Sequence, residues 1–415
     1  MVKYLSISCL LLFLVACQPQ NQKELIISDI TTPSFQGGES HLSVNSNDEL
    51  IMSWIEENED SSFSLFMSTL KDEKFDEALE IASGKNWFVN WADFPSVVSY
   101  RGDPNRLAAH WLQKSATGTY DYDVMISQSK DGGKTWMEPF ILHQDGIKAE
   151  HGFVSLSPKG RDRIMAVWLD GRNTKNEESG DKEVEEKNEH GHHGSMTLRS
   201  CEFDIDNKIY DSIELDHRVC ECCQTDLAIN NQGKAFIVYR DRSDTEVRDI
   251  FIKRKFGDQW LNSKPVWSEG WYVPGCPVNG PAIASSDSLV AVAWYSESAQ
   301  TPKVQLAFSD DKGSEFSKPI IVDHGNPIGR VDIVFDDQKT VWLSWIEKEE
   351  EQASLRIAKF NQETKLEDHF VCEIDERRKS GFPILEKMND DLYLSYTEVD
   401  KEKTRVKLKK INLGN

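Results

Sequence analysis

From residue 24 to its end the chain is filled by short runs in which apolar and polar residues alternate, rich in Val, Ile, Thr and aromatics and broken by Gly, Asn and Asp. Alternation of this kind puts one face of an extended strand into a core, and no stretch shows the spacing of an amphipathic helix, so the prediction is all-β. The runs come in groups of four. In the fifth group they are Gly280 to Ser285, Ser288 to Trp294, Lys303 to Ser309 and Lys318 to Val322. The second run of each group ends in an aromatic: Trp54, Trp111, Trp168, Tyr239, Trp294, Trp345 and Tyr396, at intervals of 57, 57, 71, 55, 51 and 51 residues. A supersecondary unit recurring at that period is the mark of a radial repeat.

The expected fold is therefore a seven-bladed β-propeller of four-stranded blades, with inner strands beginning near His41, Phe94, Gly152, Thr225, Gly280, Arg330 and Gly381. The seventh group supplies three runs (Phe382 to Leu385, Asp391 to Tyr396, Thr404 to Leu413), and an orphan run, Glu24 to Ile30, precedes the first group. Placing that N-terminal strand on the outside of the last blade closes the ring and covers an open edge.

Two turns between third and fourth runs carry a box. Ser129-Lys130-Asp131-Gly132-Gly133-Lys134-Thr135-Trp136 fits the pattern Ser-x-Asp-x-Gly-x-Thr-Trp, and Ser309-Asp310-Asp311-Lys312-Gly313-Ser314-Glu315-Phe316 fits it in degenerate form. The Asp accepts backbone N–H groups within the hairpin, the Gly takes a left-handed conformation and the aromatic packs between strands, so the box is structural. The box resembles that of the sialidase-like, or BNR (Asp-box) repeat, superfamily of propellers. The segments His110-Trp111-Leu112, Glu150-His151-Gly152-Phe153, Tyr239-Arg240-Asp241-Arg242-Ser243 and Gly275 to Pro281 resemble those of its bacterial lipoprotein members.

The ends and the charge refine this picture. Lys3 followed by the apolar run Leu5 to Ala16 is too short to span a bilayer and reads as a signal peptide over residues 1–16. Leu14-Val15-Ala16-Cys17 resembles a lipobox, so Cys17 is expected to be lipidated, with residues 17–23 as a tether and 24–415 as one propeller domain. Gln18 after the lipidated cysteine implies outer-membrane sorting by resemblance to such lipoproteins, and membrane attachment through lipid alone. A formal charge of −22 repels nucleic acid and anionic membrane faces, which excludes both as partners. A monomer is expected.

In a propeller the crossovers between blades and the turns after second strands open on one rim around the central channel. Counting strands puts Cys220, Cys222, Cys223 and Cys276 there, in adjacent crossovers, together with His110 and His151. An insertion, 173–194, rich in Glu, Lys and Gly and ending His190-Gly191-His192-His193, is expected to be a mobile loop over the same rim. Two chemistries fit the cysteines. An exported chain meets an oxidising compartment, and four rim cysteines could form two disulfides. Four thiolates with nearby imidazoles could also hold copper(I) or zinc, although the oxidising compartment favours the disulfides. Adjacent Cys222 and Cys223 cannot bond each other without strain, which directs pairing outward, for instance to Cys276. Cys201 and Cys372 fall on outer strands of distant blades as unpaired core residues.

Arg172, Arg240, Arg242 and Arg330 lie at rim positions of four blades, and guanidiniums converging on one point would bind a carboxylate or sulfate. The sialidase resemblance implies an exo-acting glycoside hydrolase on anionic glycans, with those arginines, Asp93 as acid and Tyr239 or Tyr295 as nucleophile. Asp170, Asp241, Glu246 and Asp249 are close enough in sequence to neutralise the same arginines. The Phe-Arg-Ile-Pro segment of sialidases is absent, and the expected blade number is seven rather than six. Three readings result: a rim binding a small ligand, foremost a soft metal ion; a sialidase-like hydrolase; and a non-catalytic scaffold stapled by disulfides.

Overall fold

The computed structural model describes residues 25–175 and 194–414, which form seven antiparallel sheets arranged as the blades of a propeller. The signal peptide, Cys17, the 17–23 tether and most of the 173–194 insertion, with His190, His192 and His193, lie outside the described residues. Among the described residues no helix is long and apolar enough to cross a membrane.

The inner strands are Gly37–Val44, Ser96–Tyr100, His151–Lys159, Asp226–Ile229, Ala282–Ser285, Pro327–Phe335 and Ile384–Met388, within a few residues of the expected starts. In the seventh blade Ile384–Met388, Asp391–Asp400 and Lys403–Asn412 are completed by the N-terminal strand Ile26–Ile30, which pairs in register from Ile26 with Asn412 to Ile30 with Leu408. In the first blade two short segments, Lys74–Phe75 and Leu79–Gly84, share the outer position against Phe63–Lys71.

The repeating aromatics explain the period. Seven apolar clusters fill the molecule, each joining two consecutive blades and each holding one of the seven aromatics from the later blade, such as Trp168 against blade-2 residues Val98 and Tyr122. The core thus lies between blades, and the wedge that fills it recurs once per unit. Buried indoles need a partner for their N–H. Trp54, Trp168 and Trp345 donate to the carboxylate two residues along the same strand, Glu56, Asp170 and Glu347, at 2.7–2.8 Å.

Inner strands are stitched to their neighbours by carboxylates on alternate blades. Asp93, Asp226 and Asp332 accept the backbone N–H of Phe153, Ile283 and Leu385 in the following blade, each at 2.7 Å. Between these strands runs a central channel of about 740 Å³ lined in part by Asp226, Asp332 and Glu386. Both Asp boxes form as expected. Asp131 accepts from the Thr135 amide (2.9 Å) and hydroxyl (2.7 Å), and Asp311 from the Glu315 amide (2.9 Å). Gly133 sits at φ 87°, and a Cβ there would meet Met67 Sδ at 2.7 Å.

Candidate functional site

The crossover that carries Cys220, Cys222 and Cys223 is held in place by backbone pairing. The Val219 N–H donates to the Met196 carbonyl at 2.9 Å and the Cys220 N–H to the Arg240 carbonyl at 3.0 Å, which pins the crossover to the end of blade 4's second strand. Gln224 then ties three crossovers together, donating to the Ala92 carbonyl at 2.6 Å and accepting from the Gly280 amide at 2.9 Å.

Within this frame Cys222 is disulfide-bonded to Cys276, with Cα atoms 5.9 Å apart. Cys220 and Cys223 remain thiols, both buried, with sulfurs 3.5 Å apart, and Cys220 Sγ lies 3.9 Å from Cys222 Sγ. The rim therefore carries one disulfide and a dithiol, where sequence suggested two disulfides or four thiolates. Arg248 donates to Cys220 Sγ at 3.1 Å and is held by Glu221 and Glu246, each at 2.8 Å. Burial opposes ionisation of Cys223, but its hydrogen bond with Cys220, the Arg240 guanidinium and the Asn279 backbone outweigh it and bring the thiol down to about 6. Burial and the neighbouring Cys223 push Cys220 up. The pair thus releases one proton readily and holds the second.

The Cys222–Cys276 disulfide lines a 560 Å³ cleft together with Glu221, Arg242, Arg248, Phe88, Trp91 and Tyr120. Tyr122 and Glu150 also line it. The Tyr122 hydroxyl lies 3.0 Å from Glu150 and 3.2 Å from Asp93. Burial raises Asp93 to about 7 against the Phe153 amide, and raises Glu150 to about 8 against the Tyr122 hydrogen bond. Burial and the two carboxylates drive the Tyr122 phenol well above its ordinary range. At neutral pH this triad keeps a carboxyl proton beside a neutral phenol.

The four rim arginines do not form an anion receptor. Arg172 makes a two-pronged contact with Asp170, both bonds 2.7 Å, and reaches Asp145 at 3.0 Å. Arg242 is bonded to Glu246 and Glu221. Arg240 is buried, donating to the carbonyls of Arg248, Asn279 and Tyr295 at 2.8 Å each, over the Trp271 ring. Arg330 donates to Ser380 Oγ at 2.7 Å and to the Gly381 carbonyl at 3.0 Å, and faces the Trp91 ring at 4.9 Å. Two of the four are neutralised by carboxylates close in sequence and two are absorbed by backbone carbonyls.

The histidines divide as well. His110 is fully buried beside His41, its Nδ1 bonded to Ser96, and burial takes it down to about 3. His151 stacks on His143 and contacts Asp145 at 3.1 Å. Neither has a bond to the cysteines. Tyr239 is bonded to Asp216 at 2.5 Å and Tyr295 to Glu297, and neither lines the cleft. Tyr122, Arg248 and His143 belong to the chemistry of the rim but were not singled out by sequence. For Tyr122 the available signal was a tyrosine opening a third strand, directly below the Glu150 crossover.

No protein-family model matches the chain, and no curated protein matches it in sequence. Its shape does match solved structures. The polysaccharide lyase Uly1 superposes with a TM-score of 0.56 at 10% identity over 91% of this chain and 90% of that one. An ulvan lyase of polysaccharide lyase family 25 gives 0.51 at 11% identity over 80% of each chain. A mutant NanB sialidase of Streptococcus pneumoniae gives 0.48 at 9% identity over 93% and 92%. The propeller fold that the Asp-box resemblance implied is the fold of this chain.

Proposed function

We propose that this propeller, anchored in the cell envelope by lipid on Cys17, binds a soft metal ion, copper(I) or zinc, at its rim cysteines. The observation that carries this reading is the spacing of the two buried thiols, Cys220 and Cys223, with the disulfide sulfur of Cys222 beside them. The Sγ atoms of Cys220, Cys222 and Cys223 all lie within 4.8 Å of one another, with separations of 3.5 and 3.9 Å from Cys220 to the other two. A tetrahedron built on metal–sulfur bonds of about 2.3 Å has edges of about 3.8 Å. Arg248 and Arg240 would offset the negative charge that thiolates bring to a buried place. With the disulfide closed, Cys220 and Cys223 supply two thiolates, and a soft ion such as copper(I) takes its remaining donors from outside. Opened by an external dithiol, which supplies two electrons and two protons and leaves as its own disulfide, Cys222 adds a third thiolate to Cys220 and Cys223, a set that suits zinc with one further donor from outside.

The test is elemental analysis of protein purified anaerobically, with and without reductant. About one equivalent of copper or zinc is expected, lost in Cys220→Ser and in Cys223→Ser. Metal-free protein in both redox states after incubation with each ion overturns the reading.

A second reading, an enzyme acting on anionic glycans, is favoured by one observation: the Tyr122 hydroxyl between Glu150 and Asp93 on an aromatic-lined cleft. The solved lyases that share this fold are described as acting on polysaccharide, one of them bound to a sulfated glucuronate–rhamnose unit. Here Asp93 or Glu150 would serve as general acid, because each keeps a proton near neutrality. Turnover of a fluorogenic sialoside or a uronate oligosaccharide, abolished by Asp93→Asn and by Tyr122→Phe, would support it. Absence of turnover with both substrate classes would remove it.

A further inference from the structure

The crossover from blade 2 to blade 3 carries a second constellation, separate from the cysteine cleft. His143 and His151 stack with ring centroids 3.6 Å apart and planes 1° from parallel. Asp145 touches both rings, its Oδ1 lying 2.9 Å from His143 Nδ1 and its Oδ2 3.1 Å from His151 Nε2. A carboxylate only accepts, so His143 Nδ1 carries the proton of that bond. In the neutral ring the other nitrogen is left with a lone pair. That atom, Nε2, is buried, has no hydrogen-bond partner among the described residues, and belongs to a side chain only 1% exposed.

What it faces is another acceptor. Asp123 Oδ1 stands 3.5 Å away, too far for a good hydrogen bond, and it too is buried without a hydrogen-bond partner among the described residues. The other oxygen of Asp123 is bonded to Lys148 Nζ at 3.1 Å, which fixes the carboxylate. Two lone pairs turned toward each other in a buried place are costly unless a cation sits between them. A separation of 3.5 Å is close to the edge, about 3.3 Å, of a tetrahedron built on metal–nitrogen and metal–oxygen bonds of about 2.0–2.1 Å. The bond from His143 Nδ1–H to Asp145 is also the support that metal-bound histidines ordinarily have.

We propose that His143 Nε2 and Asp123 Oδ1 bind a divalent transition-metal ion of the zinc type, independently of the cysteines. His151 braces the site without ligating. Its Nδ1 faces the carbonyls of Tyr122 and Ala149 at 3.2 Å, and its Nε2 faces Asp145, which Arg172 also holds. His143 and Asp123 also border a 360 Å³ surface pocket, with Ile141, Gln144, Gly146 and Lys148, from which water or an external donor would complete the shell. Two protein ligands and an open remainder describe a site that exchanges its ion.

The experiment is a zinc titration by calorimetry, with cobalt(II) absorption as a second readout, on the full chain carrying Cys220→Ser and Cys223→Ser so that the thiols are silent. One equivalent is expected. Asp123→Asn, which keeps the shape of the side chain, and His143→Gln should each weaken it at least tenfold, with folding checked by circular dichroism. The same substitutions are repeated in the wild-type background, so that damage from the serine changes is recognised. No binding in either background, or binding that survives both substitutions unchanged, overturns the proposal.

Discussion

Cys220 and Cys223 set their sulfurs 3.5 Å apart, while Cys222, between them in the chain, reaches outward to bond Cys276 of the next crossover. Alkylation of the denatured, unreduced protein followed by peptide mapping should therefore find Cys222 joined to Cys276, with Cys201, Cys220, Cys223 and Cys372 all labelled. Recovery of a Cys220–Cys223 crosslink instead would show that the rim is doubly stapled, and would leave no thiol for a metal.

Asp93 has a structural duty whatever its chemistry. Its Oδ1 accepts the amide of Phe153, a residue at φ 53°, in the left-handed region that non-glycine residues rarely adopt. Asp93→Ala strands a buried N–H and should cost about 1–3 kcal/mol by urea denaturation. Asp93→Asn keeps an acceptor and should cost clearly less. Gly152 lets the carboxylate approach, because a Cβ there would sit 2.1 Å from Asp93 Oδ2 and 2.8 Å from the Tyr122 ring. Gly152→Ala should be at least as harmful as Asp93→Ala. Equal stability of the Asp93→Ala and Asp93→Asn proteins would deny the stitching role.

The channel carboxyls make stability depend on pH. Burial raises Asp226 to about 6, and burial together with neighbouring carboxylates raises Asp332 and Glu386 to about 8. A raised folded-state pKa means that the folded state holds its protons while the unfolded chain releases them from about pH 4 upward. The stability they contribute is complete below about pH 4 and is lost as pH climbs toward 8. Depressed carboxyls such as Glu202, near 2, act in the opposite direction and in a lower window. The melting temperature should accordingly fall between pH 5 and pH 9, and Glu386→Gln should flatten that decline. An unchanged slope in this variant would sink the assignment.

Much of this fold was legible because a propeller writes its plan as a period. One wedge aromatic per unit fills each gap between blades, so Trp54 to Tyr396 counted the blades directly, and the orphan run before residue 31 marked the closing strand. The rim was legible only as a location. Strand counting places Cys220, Cys222, Cys223 and Cys276 in adjacent crossovers, but which sulfur faces which depends on side-chain directions in irregular backbone that follows no period. Arg240 and Arg330 were lost for the same reason: their partners are carbonyls of Asn279, Tyr295 and Gly381, and a carbonyl leaves no mark in the sequence. His143 and His151 stack because the chain doubles back between them, a contact invisible to strand parity.

The closing strand gives the last prediction. Ile26–Ile30 covers the edge of Lys403–Asn412, and Thr32 Oγ1 adds a bond of 2.7 Å to the Val406 carbonyl. The strand also belongs to two cores. Leu25 packs into the cluster between blades 6 and 7, and Ile30 into the cluster between blades 7 and 1. Each aliphatic side chain is worth about 1.5–3 kcal/mol on burial, so deleting residues 25–30 should cost roughly 3–6 kcal/mol from these two alone. The deletion also exposes unpaired N–H and C=O groups on Lys403–Asn412, which invites pairing with a second chain. Denaturation midpoints should therefore fall sharply, and light scattering should show association that rises with concentration. Ile30→Ala separates the two effects, because it removes core contact while leaving the edge covered. It should cost about 2–5 kcal/mol without promoting association. A truncated protein that stays monomeric with an unchanged midpoint would mean that the ring does not depend on this strand for closure.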